Sequence, residues 1–145
     1  MKKLTDLSLR NNQIVDLKLA NSLKKLTNLD LRGNQISDII LISSLTNLIY
    51  IDLSDNQISN IKPLTGLKRL IHLDLDRNQI KDISAVSSLS ELTYLNLENN
   101  RIQDIRPLIS LNKLTVLSIE KPARDFYIMK SLEKPIQYRT QLRSY

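Results

Sequence analysis

A period of 22 residues runs through most of the chain. Sliding the sequence along itself by that interval stacks Leu26, Leu48, Leu70, Leu92 and Leu114 in one column and Leu29, Ile51, Leu73, Leu95 and Leu117 in another. Asn12, Asn34, Asn56, Asn78 and Asn100 form a third column, and Ile14, Ile36, Ile58, Ile80 and Ile102 a fourth. A fixed period of this length means a solenoid, in which each repeat buries its apolar side only against its neighbours. Five full repeats start at Leu4, Leu26, Leu48, Leu70 and Leu92, and a partial sixth starts at Leu114.

Within each repeat, a segment such as Leu29-Asp30-Leu31 alternates with the period of a strand that buries one face. Six short strands are expected to lie in parallel, with spacing of about 4.8 Å. The asparagine column follows each strand, where the chain turns inward. A buried carboxamide is costly unless bonded, so the column is expected to satisfy turn amides as a structural ladder. Asn56→Ala or Asn78→Ala should therefore destabilise more than Asn11→Ala on the exposed face.

Beyond the isoleucines, Leu17, Ile39, Ile61, Ile83 and Ile105, then Ala20, Ile42, Leu64, Val86 and Leu108, then Leu23, Leu45, Leu67, Leu89 and Leu111 follow at spacings of three. That interval suits a short 3₁₀ or irregular outer segment, and Pro63 and Pro107 agree because proline blocks an α-helix interior. The column Ser22, Ser44, Gly66, Ser88 and Ser110 is small throughout, from close packing of successive outer segments or from plain solvent exposure.

By these residues the chain resembles the leucine-rich-repeat family, in the 22-residue class of bacterial internalins and SDS22-type phosphatase regulators. Asn56-Gln57-Ile58-Ser59-Asn60-Ile61-Lys62-Pro63-Leu64 and Asn100-Arg101-Ile102-Gln103-Asp104-Ile105-Arg106-Pro107-Leu108 are similar to the internalin version almost throughout. The resemblance implies an α/β, right-handed, horseshoe-shaped solenoid with a parallel sheet on its concave face and short 3₁₀ or irregular segments on its convex face. It also implies protein binding on the concave face. Residues 1–121 would form the repeats and residues 122–145 a C-terminal capping segment.

Both ends depart from the internalin pattern. No export signal, helical N-terminal cap or downstream immunoglobulin-like domain can be read. The chain as given suggests the cytoplasm, or the exterior if it is a fragment of an exported protein. Leu4, Leu7, Leu9, Ile14 and Leu17 should be exposed at the open first repeat, where solenoids ordinarily need a polar cap. At the other end Pro122 replaces the column asparagine. Phe126, Met129 and Leu132 suggest a short capping helix over residues 124–133, and residues 136–143 alternate like a strand, although SDS22-type caps are helical here.

Side chains between and after the strand leucines should project from the concave face. Their columns are Asp6, Asn28, Tyr50, His72, Tyr94 and Val116; Ser8, Asp30, Asp52, Asp74, Asn96 and Ser118; Arg10, Arg32, Ser54, Asp76, Glu98 and Glu120; and Asn11, Gly33, Asp55, Arg77, Asn99 and Lys121. Eight acids and four bases give this face a formal −4, leaving +10 elsewhere in a chain whose total is +6. Asp30, Asp52 and Asp74, one strand apart, repel one another; they are either kept for a basic partner or simply solvated. Tyr50, His72 and Tyr94 add an aromatic stripe of the kind that anchors interfaces. The expected partner-binding set is Tyr50, Asp52, His72, Asp74, Asp76, Tyr94 and Glu98, holding a protein with basic residues.

Other chemistries find less support. There is no cysteine, and the chain has one histidine, so a zinc site lacks ligands; strand-borne carboxylates lie in a row that wraps no calcium ion. No nucleophile, base and oxyanion hole assemble, and no cofactor, small-molecule substrate or enzymatic role is expected. Lys24, Lys25, Lys68, Arg69 and Lys113 form a basic ridge, but without interleaved aromatics nucleic acid is disfavoured. No apolar run approaches the roughly 18 residues of a membrane span. The competing structural reading is a homodimer formed through the uncapped N-terminal edge.

Overall fold

The computed structural model describes residues 3–120 and 137–139. Seven parallel strands follow one another in chain order: β1 (Asp6–Ser8), β2 (Asn28–Asp30), β3 (Tyr50–Asp52), β4 (His72–Asp74), β5 (Tyr94–Asn96), β6 (Val116–Ser118) and β7 (Gln137–Arg139). The first six pair at an offset of one repeat, as in Leu29↔Ile51 and Ile51↔Leu73. The central residue of each of the first six strands points inward, and from β2 to β6 it is at most 4% exposed. Six strands were expected from the repeats and seven are present among the described residues. The seventh pairs Leu117 with Tyr138, so residues 137–139 are extended, not helical. The expected capping helix, with Phe126, Met129 and Leu132, lies outside the described residues.

The outer side of each repeat is a 3₁₀ segment: Lys18–Ser22, Ile40–Ser44, Lys62–Gly66, Ser84–Ser88 and Arg106–Ser110. Its bonds run three residues back, Ile42 N–H to Ile39 O at 3.0 Å, Leu45 N–H to Ile42 O at 2.9 Å and Leu48 N–H to Leu45 O at 3.1 Å. Three residues per turn eclipse side chains three apart, so Ile39, Ile42, Leu45 and Leu48 share one inward face and are all buried. An α-helix would rotate that row out of the core. Each fully buried Leu or Ile contributes about 1.5–3 kcal/mol of transfer free energy.

The small column Ser22, Ser44, Gly66, Ser88 and Ser110 lies at or near the surface, the second of its two expected readings, whereas the column that follows each strand takes a different role from the expected one. Ser44 Oγ donates to Leu41 O at 2.9 Å, and Ser88 Oγ donates to Ala85 O at 2.9 Å and to Thr65 O of the preceding turn at 3.0 Å. At Gly66 an added Cβ would meet open space, so this residue is not small for want of room. Asn11, Gly33, Asp55, Arg77 and Asn99 do not simply project from the sheet: they turn the chain in the left-handed region, with φ from 51° to 69°. Each of the first four donates its amide to the next repeat, as in Asp55 N–H to Asp76 O at 2.8 Å.

The column asparagines bond backbone groups of their own turn and, from Asn34 on, of the preceding repeat. Asn56 Nδ2 donates to Leu53 O and Ser54 O of its own turn and to Leu31 O of the preceding repeat, each at 3.1 Å. Its Oδ1 accepts the Ile36 amide at 3.0 Å. Asn34, Asn78 and Asn100 repeat the pattern, whereas Asn12, in the first repeat, is exposed and, among the described residues, bonds only Leu9 O and Arg10 O of its own turn.

Candidate binding face of the sheet

Alternation along β3, β4 and β5 sends Tyr50, His72 and Tyr94 outward from adjacent strands in direct register. Their rings stack: Tyr50 and His72 have centroids 4.4 Å apart at 19°, and His72 and Tyr94 are 4.0 Å apart at 4°. Aromatic pairs of this kind add about 0.5–1.5 kcal/mol beyond area burial. All three residues remain half-buried. Stacking closes the ring faces between strands and leaves edges and polar tips towards solvent.

The stack shifts its own ionisation. Burial lowers the His72 pKa, and the opposing pull of Asp52 does not reverse this, so the neutral imidazole is favoured. Burial also raises the Tyr50 phenol, with the charges of Asp52, Asp30 and Asp74 adding in the same direction.

Asp30, Asp52 and Asp74 stand side by side in register, two positions further along the strands. They are not freely solvated. Each Oδ1 accepts the backbone N–H two residues on, at 3.2 Å from Arg32, 2.9 Å from Ser54 and 2.9 Å from Asp76; Asn96 does the same for Glu98 at 3.1 Å. Asp52 also accepts the Ser54 hydroxyl at 2.6 Å and is only 6% exposed. Asp74 accepts Asn96 Nδ2 at 3.2 Å, and its pKa is raised chiefly by burial, with Asp52 and Asp76 adding to the effect. Asp30 is paired with Arg10 at 2.9 Å.

Asp76 and Glu98 continue the acidic surface on the turns beyond β4 and β5, both half-buried. Asp76 accepts Asn99 Nδ2 at 2.7 Å and has Arg77 at 3.8 Å. The seven expected binding residues thus lie together on three consecutive repeats, but with unequal access: Asp52 shapes the field from a buried position, while the others reach the surface.

The basic ridge is partly occupied by links between repeats. Arg69 donates to Asn47 Oδ1 at 3.0 Å, Lys68 to Ser88 O at 3.1 Å, and Lys113 pairs with Glu91 at 2.7 Å. Among the described residues, no group of three or more His, Cys, Asp or Glu side chains is arranged to hold a metal ion. None of their helices is long and apolar enough to cross a membrane.

Two periodic columns escaped the sequence argument. Asp16, Asp38, Asn60, Asp82 and Asp104 each accept the amide two residues on and start the 3₁₀ turn, as in Asp82 Oδ1 from Ser84 at 2.8 Å. Threonines precede most strands, and Thr27, Thr93 and Thr115 each donate to a carbonyl of the repeat before, at 3.2, 3.4 and 3.0 Å. In this second column β3 and β4 are preceded instead by Ile49 and Ile71. The signal in both cases is the same 22-residue spacing, applied to polar side chains that can reach a nearby backbone group.

A parallel sheet of one strand per repeat, 3₁₀ outer segments and a continuous asparagine ladder define a leucine-rich-repeat solenoid. The family model for leucine-rich repeats in two copies matches residues 2–45, 46–88 and 90–128, and the chain belongs to the leucine-rich-repeat family. It is similar to internalin C2 of Listeria monocytogenes, with 37% identity and a TM-score of 0.88, covering 94% of this chain and 61% of that one. A leucine-rich-repeat protein of Leptospira interrogans aligns at 28% identity and a TM-score of 0.85, covering 95% of this chain and 37% of the other. An internalin of the F type from Listeria monocytogenes aligns at 25% identity and 0.73, covering 94% and 47%. The chain therefore spans less than two thirds of each of these proteins. A comparison with curated protein sequences gave no significant match. Fold and family together make this a protein-interaction module.

Proposed function

We propose that this module is non-enzymatic and holds a protein partner on the outward face of its sheet, through Tyr50, His72, Tyr94, Asp74, Asp76 and Glu98, with Asp52 contributing charge from beneath. The observation that carries this reading is the Tyr50–His72–Tyr94 stack, three half-exposed rings held in register by three strands. A sheet presents them already ordered, which lowers the conformational cost of association. The carboxylates beside the rings favour a partner carrying lysine or arginine and make binding weaken with salt.

The test is recovery of partners on immobilised protein, comparing wild type with Tyr50→Ala/Tyr94→Ala and with Lys68→Ala/Arg69→Ala. Loss of partners in the tyrosine variant, together with elution of wild-type complexes by salt, is the expected result. If the basic-ridge variant loses them and the tyrosine variant does not, an anionic ligand on the ridge replaces this reading.

Self-association through the first repeat is the second reading, and one observation favours it. Leu4 is 37% exposed, and Leu7, Leu9, Ile14 and Leu17 are only half-buried, lining an apolar hollow with Leu23 and Leu26. Burial of such leucines against a second copy would drive a two-fold contact. Sedimentation of a purely monomeric species at high protein concentration would remove it.

A further inference from the structure

The sheet face has a polarity along the strands. The position just before each of the first six strands is held by Thr5, Thr27, Ile49, Ile71, Thr93 and Thr115. The threonine hydroxyls at 27, 93 and 115 tie one repeat to the one before. Ile49 and Ile71 give up that hydrogen bond. Their backbone follows the same course, Ile71 N–H donating to Ile49 O at 2.8 Å just as Thr115 N–H donates to Thr93 O at 2.8 Å. No gain in packing explains the change, for Ile71 is 41% exposed and Ile49 is only half-buried.

The departure is confined to the two repeats whose next residues are Tyr50 and His72. Ile49 and Ile71, both solvent-accessible, immediately precede Tyr50 and His72, so apolar and aromatic residues gather at the strand starts. Asp74, Asp76 and Glu98 form an acidic block at the strand ends, over the buried charge of Asp52. Stacking covers the ring faces that meet between β3, β4 and β5, and there the rings offer edges, which carry the positive part of the aromatic quadrupole and suit apolar groups better than cations. A cation on this face goes to the carboxylates instead.

Resting on the reading of this face as a protein-binding surface, we propose that its occupant is a basic amphipathic segment of the partner, laid across β3–β5. Its apolar side covers Ile49, Ile71 and the ring edges, and its lysine or arginine side faces Asp74, Asp76 and Glu98. Apolar contact and charge are then read on opposite sides of one segment, so a merely basic peptide meets half the site and a merely apolar one meets the other half.

The experiment uses the full chain and synthetic 18-residue peptides labelled for fluorescence anisotropy. One peptide places leucines at i, i+3, i+4 and i+7 with lysines on the opposite face; a second has the same composition in scrambled order; a third replaces lysine with glutamate. The amphipathic basic peptide is expected to bind at least about tenfold more tightly than either control, a difference of 1.4 kcal/mol. Ile49→Thr/Ile71→Thr, which installs the residue this column carries in other repeats, should weaken that peptide about tenfold while leaving the melting temperature near wild type. Asp76→Asn/Glu98→Gln should flatten its salt dependence. Equal binding of ordered and scrambled peptides, absence of binding, or indifference to the isoleucine variant overturns the proposal. In that event, loss of natural partners in Tyr50→Ala/Tyr94→Ala would still uphold the broader reading of the face, so the two failures are distinguishable.

Discussion

Asn78 Oδ1 accepts the backbone N–H of Ile58, twenty residues earlier, at 2.9 Å, while Asn78 Nδ2 donates to Leu53 O, 25 residues earlier, at 3.0 Å. One side chain therefore closes two backbone groups of the preceding repeat as well as its own turn. The cooperativity of the array rests on such links as much as on the apolar core, because a solenoid has only nearest-neighbour interfaces to hold it together.

Asn78→Ala should lower unfolding free energy by about 1–3 kcal/mol for each buried group left unsatisfied. Asn12→Ala should cost less, since Asn12 is exposed and bonds only its own turn. Asn11 is the wrong baseline despite its exposure: at φ 55° an alanine there brings backbone strain of about 1–2 kcal/mol. Urea denaturation midpoints of the three variants check this. Equal shifts for Asn78→Ala and Asn12→Ala would contradict the inter-repeat role.

Asp52→Asn should stabilise the protein at pH 7. Asparagine keeps an Oδ1 for the Ser54 amide and hydroxyl, as Asn96 does for Glu98, and removes one charge from a row of three. The raised Asp74 pKa means that its ionised form costs stability above that pKa and that the cost disappears as pH falls through it. The advantage of the variant should therefore shrink on acidification. Carboxyl-carbon NMR titration should also find the Asp74 midpoint lowered; an unchanged midpoint would separate the two carboxylates.

His72→Phe should remove a titration from the folded state. Because burial depresses the His72 pKa, its contribution to stability is complete above the ordinary 6.5 and is lost as pH falls through the folded value. Between pH 7 and 5 the wild type should lose stability more steeply than the phenylalanine variant. Parallel curves would mean that the imidazole is not confined by its two tyrosines.

Arg106→Ala should raise the pKa of Asp104, which the Arg106 side chain and backbone amide hold down from 3.8 to about 2. The guanidinium sits on both carboxylate oxygens, with Nη2 to Oδ2 at 2.6 Å. A depressed carboxylate favours the folded state above its ordinary pKa, and this is lost as pH falls from about 4 towards 2. The pair is exposed, so the measurement is the NMR titration midpoint, with little change in melting temperature at pH 7. A midpoint that stays near 2 would assign the shift to the backbone amide alone.

The chain by itself determined the repeat, the strand register, the inward columns and the asparagine ladder. Each follows from nearest-neighbour contact, so Leu73 must meet Ile51 and Leu95 once the period is known. Spacings of three also determined the outer 3₁₀ turns, since only that twist keeps Ile61, Leu64 and Leu67 on one face. What only the tertiary structure decided is how much of each periodic polar side chain the backbone consumes. Asp52 and Asp76 both belong to the acidic face, yet Asp52 sinks to 6% exposure against Ser54 while Asp76 remains half-exposed on a turn. Asn11, Asp55 and Arg77 look like displayed side chains, but their column turns the backbone through positive φ to deliver an amide to the next repeat. Such roles depend on the distance between a side-chain oxygen and a particular amide, a quantity that residue spacing leaves open until the repeats are stacked.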